Sequence, residues 1–378
     1  MSHPKGPLMV EPTDGEPIRS VLYDVQARQG GVFEDFDGWV WTVDLGDTLG
    51  EYEAIRSGAA MWDVYALVKW EVVGPDAGEA IQRVFTNDLS SQQVGQVRYG
   101  AFCDGAGALL DEGTVFKVND EHYFVFTNGH DFSDHLTDWS TGLSVAIADL
   151  THEMPLISVQ GPRSREILQT LTDVDLANLR YFRFLPQRVD VAGVPVWLSR
   201  TGFSGELGFE LIPTRGDAER LWQVLTDAGV RPVGSSAVEI ARIEAGLIIY
   251  SFDYDPGQRT PYDLGLDRMV ATGSDVVFLG KDPLTSLAAT PPNRLKTLRL
   301  DGVDLPEYGT DVLQGGQVVG TLTSPTDSPR FGIIGLAVLP TELALGGTEL
   351  QVVVGDQTVT ATVADLPIYD PQKVKPRS

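Results

Sequence analysis

The chain has 378 residues, an ordinary 42% hydrophobic content and a formal net charge of −25. That length predicts two or three domains, and so negative a balance argues against nucleic acid or an anionic membrane as partner. Cys103 is the only cysteine, which excludes an internal disulfide and thiolate-cluster metal sites. No apolar run nears the ~20 residues of a membrane-spanning helix. Met1 leads into polar residues and prolines without the apolar stretch of a secretory signal, so a cytoplasmic protein is expected. The acidic residues are spread along the chain as a solvated surface would be. The histidines lack the H-x-x-x-H spacing of metal ligands; no metal site is expected, and His130 and His152 read as surface or core.

Residues 1 to about 20 read as an extended lead-in. Phe36-Asp-Gly-Trp39, Glu51-Tyr-Glu-Ala-Ile-Arg56 and Gly58-Ala-Ala-Met-Trp-Asp-Val64 follow. Val68-Lys-Trp-Glu-Val-Val73 alternates as a strand, and Gly74-Pro75-Asp76 opens a helix whose Ala77, Ala80, Ile81, Val84 and Phe85 share one face. A similar unit recurs at Leu156-Ile-Ser-Val-Gln-Gly-Pro162, followed by Ile167, Leu168 and Leu171, which suggests two related strand–turn–helix halves. Between them Asp104-Gly105 and Gly107 predict a hairpin turn, and Val115–Val118 with Tyr123–Phe126 predict a further strand pair around Asn119-Asp120.

Val194, Val196 and Leu198 alternate, Gly202, Gly205 and Gly208 follow, and Phe209 and Leu211 alternate around Glu210. This predicts a hairpin with one acidic residue among apolar neighbours. A buried carboxylate needs partners, and a flat heterocycle with two parallel N–H donors, such as a pterin ring, suits it. Further helices are expected around Leu221–Leu225 and over 237–249. After the break at Thr290-Pro-Pro-Asn293 comes a β-rich tail with strands at Leu295–Leu300, Gln317–Thr323, Ile333–Val338 and Leu350–Val354, a small barrel or sandwich.

The stretch Thr201-Gly-Phe-Ser-Gly-Glu-Leu-Gly-Phe-Glu210 resembles the signature of the glycine cleavage T-proteins (aminomethyltransferases) and their tetrahydrofolate-dependent relatives. The segments around Trp39, Arg56, Val64, Arg242-Ile-Glu244, Pro261–Asp267, Phe278–Pro283, Thr323-Ser-Pro325 and Ser328-Pro329 resemble the same family in order and spacing, over roughly residues 33 to 370. The resemblance implies an α+β, three-domain folate-binding fold. Residues 20–288 would form the folate-binding part, two interleaved subdomains with an insert at about 65–145, and 289–378 a C-terminal β-barrel or jelly-roll-like domain. It implies tetrahydrofolate as cofactor, with Glu210 holding the pterin.

The family's catalytic aspartate falls at Glu112, preceded by Asp111. Glutamate carries the carboxylate about 1.5 Å further, so either the substrate geometry differs or Asp111 takes over. Tyr99, Phe116, Asn128, Tyr181 and Phe203 are carried over as cofactor-binding candidates, and Tyr65, in place of a serine, as a donor-pocket residue. Three functions follow from the resemblance. The preferred one is a demethylase moving a methyl group from a small methylated donor (a methoxy-aromatic, a dimethylsulfonium or a methylated amine) to N5 of tetrahydrofolate. Three features favour it: Tyr65-Ala66 replaces Ser-His, Val238 stands where an arginine is frequent, and a chain at −25 would be poorly steered to an acidic lipoyl carrier. The alternative is aminomethyl transfer from that lipoyl carrier protein in glycine cleavage. A non-catalytic folate-binding accessory role is the third, although the Lys-Gly-Cys signature of such relatives is missing around Cys103.

Overall fold

Alternating apolar strands need a cover on each buried face, and the chain supplies it with two sheets, their flanking helices and a barrel. A computed structural model describes residues 16–36, 38–129, 132–302 and 304–378. His130 and most of the predicted lead-in lie outside these residues. Among the described residues, Ile18 bridges to Trp39 and Tyr23–Arg28 is helical. A two-stranded hairpin, Val32–Phe36 with Trp39–Asp44, follows.

The first larger sheet is antiparallel and five-stranded, in the order Val97–Cys103, Leu109–Asn119, His122–Thr127, Val68–Val73 and Ala146–Asp149. Helix Ala77–Val84 buries Ala77, Ala80, Ile81 and Val84 against it, the face read from the spacing. The second sheet runs Val189–Val191, Val194–Ser199, Gly208–Ile212, Ile157–Gln160, Ala60–Asp63 and Arg231–Pro232; only its last pair is parallel. Both sheets end a strand at a glycine with positive φ, Gly74 (+144°) and Gly161 (+123°), and each leads into a helix. A Cβ there would lie 2.3 Å from the Ser144 carbonyl oxygen and 2.5 Å from that of Gly58, so both corners demand glycine.

The helix expected over 237–249 spans Ser235–Glu244 instead. Gly246 (φ +62°) stops it: its N–H bonds the Ile243 carbonyl while the Leu247 N–H bonds that of Arg242, a Schellman ending. The tail closes as a six-stranded barrel in the order Asn293–Leu300, Gly332–Pro340, Gln317–Ser328, Thr310–Gln314, Glu349–Val354 and Gln357–Ala364. Two of these strands, Thr310–Gln314 and Gln357–Ala364, were not anticipated. Thr323-Ser-Pro325 lies inside a strand where the register shifts between Leu322 and Ser324. The shift lets Thr323 and Ser324 both donate to Asp253.

Buried ion networks tie the barrel and tail to the sheets. Arg56, with its side chain fully enclosed, donates to Glu244 at 2.7 Å and to Glu206 at 3.2 Å. Tyr52 and Ser328 hydroxyls donate to Glu244, and Tyr369 to Glu206. Arg242 likewise joins Asp253 (2.7 Å) and Ser324 (2.7 Å). Removing one member of such a set leaves uncompensated buried charge, so Arg56→Met is expected to cost about 3–5 kcal/mol, read as a lowered denaturant midpoint; an unchanged midpoint would refute the structural weight given to this pair.

Candidate active site

Strand Gly208–Ile212 places Glu210 between Ser199 of one neighbour and Ser158 of the other, and Ser158 in turn pairs with Trp62. Residues paired across antiparallel strands share a face, so Ser199, Glu210, Ser158 and Trp62 form one cross-strand row. Thr201 Oγ1 donates to Glu210 Oε2 and contacts Ser199 Oγ at 2.6 Å. No protein donor reaches Oε1 among the described residues. Burial pushes the Glu210 carboxyl upward, opposed by the Thr201 hydrogen bond and the Lys69 charge.

The glycines around Glu210 have two separate reasons. Only Gly205 (φ +78°) needs a left-handed backbone. Gly202 and Gly208 instead flank the buried Gln160 side chain, where a Cβ would sit 2.1 and 2.0 Å from its Oε1. Gln160 donates to the Thr201 carbonyl (3.1 Å) and accepts from Ser204 Oγ (3.0 Å), which pins the loop carrying Thr201 and Phe203.

Glu210 faces a cavity of roughly 1520 Å³ lying between the two sheets, the N-terminal hairpin and the barrel. Tyr65, Tyr99, Glu112, Asn128, Tyr181 and Phe203 line the same cavity. Asp111 and Phe116 do not. Phe116 lies on the Glu112 face of its strand but further along, buried with Phe126 and Phe184 at ring distances of 4.7 and 5.3 Å. Its expected role against the cofactor is therefore replaced by packing. Tyr65 presents its ring to the cavity, while its hydroxyl donates to the Val40 carbonyl of the N-terminal hairpin.

Of the adjacent carboxyls Asp111 and Glu112, only Glu112 lines the cavity. Asp111 is saturated with donors: the N–H groups of Glu112 (2.7 Å), Asn128 (3.1 Å) and Gly129 (2.9 Å), and Asn128 Nδ2 (2.9 Å). Asn128 Nδ2 also reaches Glu112 Oε1 at 3.1 Å, and Tyr99 bonds Glu112 from the cavity side. Burial is the main cause raising both carboxyls, Asp111 to about 6 and Glu112 to about 7, the latter helped by the Asp111 charge. The two titrate as a pair near neutrality, and the cavity-facing member is poised for proton transfer.

Sequence reasoning missed Lys69, Ser158, Thr201 and Gln160. Lys69 alternates with Val68 and Trp70 as a solvent-facing residue would, yet both faces of its strand are covered and it is fully buried. Among the described residues no cluster of metal-ligating side chains occurs, and no helix is long and apolar enough to cross a membrane.

A deep cavity lined by aromatic rings, with one carboxylate on a pinned hairpin and a carboxyl held near neutrality across from it, defines a small-molecule transferase site. Residues 22–274 match the family model of the GCVT N-terminal domain, and residues 293–370 that of the glycine cleavage T-protein C-terminal barrel domain. The chain belongs to the glycine cleavage T-protein family, and its cofactor is tetrahydrofolate. It is 35% identical to an aminomethyltransferase of Streptomyces avermitilis over 94% of this chain and 99% of that one. It is 34% identical to that of Shouchella clausii over 93% and 98%. The fold is that of the glycine cleavage system aminomethyltransferase T of Bartonella henselae, with a TM-score of 0.86, 24% identity, and coverage of 94% of this chain and 98% of that one.

These relatives overturn the expectation of a small methylated donor. Similarity runs through the whole length to proteins named aminomethyltransferase, so Tyr65-Ala66 and Val238 are local changes within that frame. The net charge of −25 averages over the chain and hides local cations: Arg268, Lys373 and Arg377 all line the cavity, and Lys373 feels both arginines.

Gly208→Ala is expected to displace Gln160, free the Thr201 loop and weaken tetrahydrofolate binding about tenfold, beyond an overpacking cost of about 1–3 kcal/mol. Calorimetric titration measures it, and unchanged affinity would dissociate Gln160 from the site.

Proposed function

We propose that the chain is the aminomethyltransferase of a glycine cleavage system, taking an aminomethyl group from the lipoyl arm of a carrier protein. The observation that carries this is the end-to-end similarity to proteins of that name. In the overall reaction the carbon leaves the lipoyl sulfur and the amine nitrogen and becomes bonded to N5 and N10 of tetrahydrofolate. The two folate N–H protons are passed on, so that ammonia and the dihydrolipoyl thiol are released.

Within the cavity, Glu210 accepts the pterin's N–H pair, its Thr201 hydrogen bond fixing the carboxylate plane. Tyr181 and Phe203 supply the ring surfaces beside it. Glu112 is the catalytic residue that takes the folate proton. Asp111, outside the cavity and saturated with N–H donors, is a positioning residue whose charge holds Glu112 near neutrality. Asn128 bridges the two and fixes their relative orientation.

Incubation with tetrahydrofolate and an aminomethyl-loaded lipoyl carrier is expected to yield 5,10-methylenetetrahydrofolate and ammonia, with both absent when the carrier is omitted. Absence of product with the loaded carrier would overturn the reading. Glu112→Gln is expected to lower kcat by about 10²–10⁴-fold while leaving the tetrahydrofolate Kd within a few fold. Because Glu112 acts as a base, activity should rise with pH through about 7. Asp111→Asn removes the neighbouring charge, lowers the Glu112 pKa and so moves that rise to lower pH. A rise unmoved by Asp111→Asn would contradict the assignment.

A further inference from the structure

The cavity is larger than one ligand needs. Its volume of roughly 1520 Å³ exceeds the about 300–1,000 Å³ of an ordinary small-ligand site. Glu210, Tyr181 and Phe203 account for one stretch of its wall and Glu112 for another. A third stretch is aromatic and has no part in the steps above. It starts at Tyr65, expected from the sequence as a donor-pocket residue, whose ring centroid lies 5.9 Å from that of Trp41. It continues from Phe36 to Phe252 (5.3 Å) and on to Tyr308 (5.2 Å). Leu305 lines the cavity just before Tyr308 in the chain.

These side chains come from three parts of the fold: Phe36 and Trp41 from the N-terminal hairpin, Phe252 from the turn after helix Ser235–Glu244, and Leu305 and Tyr308 from the loop leading into barrel strand Thr310–Gln314. Their backbones and polar atoms are tied down. Asp253, next to Phe252, is locked by Arg242, Thr323 and Ser324. Trp41 Nε1 donates to the Phe36 carbonyl (3.2 Å), the Tyr65 hydroxyl to the Val40 carbonyl, and the Tyr308 hydroxyl to Glu239 (3.0 Å). What they offer the cavity is therefore apolar ring surface. Phe36, Trp41, Phe252 and Tyr308 stay partly exposed, and contiguous exposed apolar surface beside a binding site marks a place for a ligand.

Charge decides which ligand. Among the described residues, the lysines and arginines that line the cavity are Arg268, Lys373 and Arg377, on the Asp267–Met269 turn and the C-terminal segment. None belongs to the aromatic wall. Glu34, which also lines the cavity, pairs with Trp41 across the hairpin and shares its face. The carboxylates of a folate tail are repelled from such a wall and drawn to the cations. A lipoyl arm suits it: a neutral aliphatic acyl chain carrying sulfur and, when loaded, a cationic amine at its tip.

We propose that this aromatic wall is the berth of the donor's lipoyl arm. The acyl chain lies along Leu305, Tyr308, Phe252 and Phe36, and the sulfur rests against the rings, a contact that thioethers and aromatic faces favour. The direction follows from exposure: Leu305 is 38% exposed and Tyr65 8%, so the arm enters at Leu305 and its loaded end lies toward Trp41 and Tyr65. This rests on the aminomethyltransferase reading above and names the residues that determine its donor.

The test uses three readouts on wild type, Phe252→Ala and Phe252→Leu: the Kd of unloaded dihydrolipoamide by calorimetry, the KM for an aminomethyl-loaded carrier, and the tetrahydrofolate Kd. Wild type is expected to bind dihydrolipoamide saturably. Phe252→Ala should weaken that binding about tenfold, as loss of a ring's apolar contact does, and raise the carrier KM in step while leaving kcat and the tetrahydrofolate Kd unchanged. Phe252→Leu, which keeps apolar bulk, should fall between the two. An unchanged tetrahydrofolate Kd also shows that the variant is folded. The proposal is overturned if wild type does not bind dihydrolipoamide, if Phe252→Ala binds it as wild type does, or if Phe252→Ala loses affinity for tetrahydrofolate instead. Dihydrolipoamide binding that Phe252→Ala weakens, with no product from a loaded carrier on wild type, sinks the aminomethyltransferase reading and leaves the berth standing.

Discussion

The structure hangs on a guanidinium enclosed between two acids. Arg56 comes from the helix that precedes the second sheet, Glu206 from the hairpin that carries Glu210, and Glu244 from the end of the helix Ser235–Glu244. Ser328 of the barrel and Tyr369 of the tail complete their hydrogen bonding. Tyr52 and Tyr369 rings flank the guanidinium, the latter with its centroid 4.0 Å away. Charges this deeply buried are tolerated only when every partner is in place. The barrel therefore has one seating on the sheets, and that seating brings Pro325 and Thr326 to the wall of the cavity that Glu210 also lines.

Within that frame the site works by contrast between carboxyl environments. Asp111 gathers four N–H contacts and stays out of the cavity. Glu112, one residue on, faces it with fewer donors and the neighbouring negative charge, and is pushed to about 7. Glu210 is buried too, but Thr201 and Lys69 favour its ionised form. One holds a ring and one moves a proton because of what surrounds them, not because of residue type.

Much of this was legible in the sequence wherever one residue type answers to one constraint. Gly74 and Gly161 marked two corners, and the alternation around Glu210 marked its strand, whereas Gly246 lay inside the expected helix and its stop was missed. The barrel strand Gln357–Ala364 was overlooked because its threonines and valines sit between turn residues, with little apolar contrast. Phe116 was misplaced because it was carried over from the family resemblance, which points to a strand but not to the distance along it at which this cavity ends. Lys69 was invisible for a related reason: period two tells inside from outside only when one face meets water, and its sheet is covered on both. The donor was misjudged by letting the net charge and a few substituted positions outweigh a pattern running the length of the chain.

The most direct measurement is a crystal structure with tetrahydrofolate bound. The account predicts the pterin's N3–H and 2-amino group within hydrogen-bond distance of Glu210, with N5 turned toward Glu112 and the ring beside Tyr181 and Phe203. A folate whose pterin lies away from Glu210, or whose N5 faces away from Glu112, would contradict it.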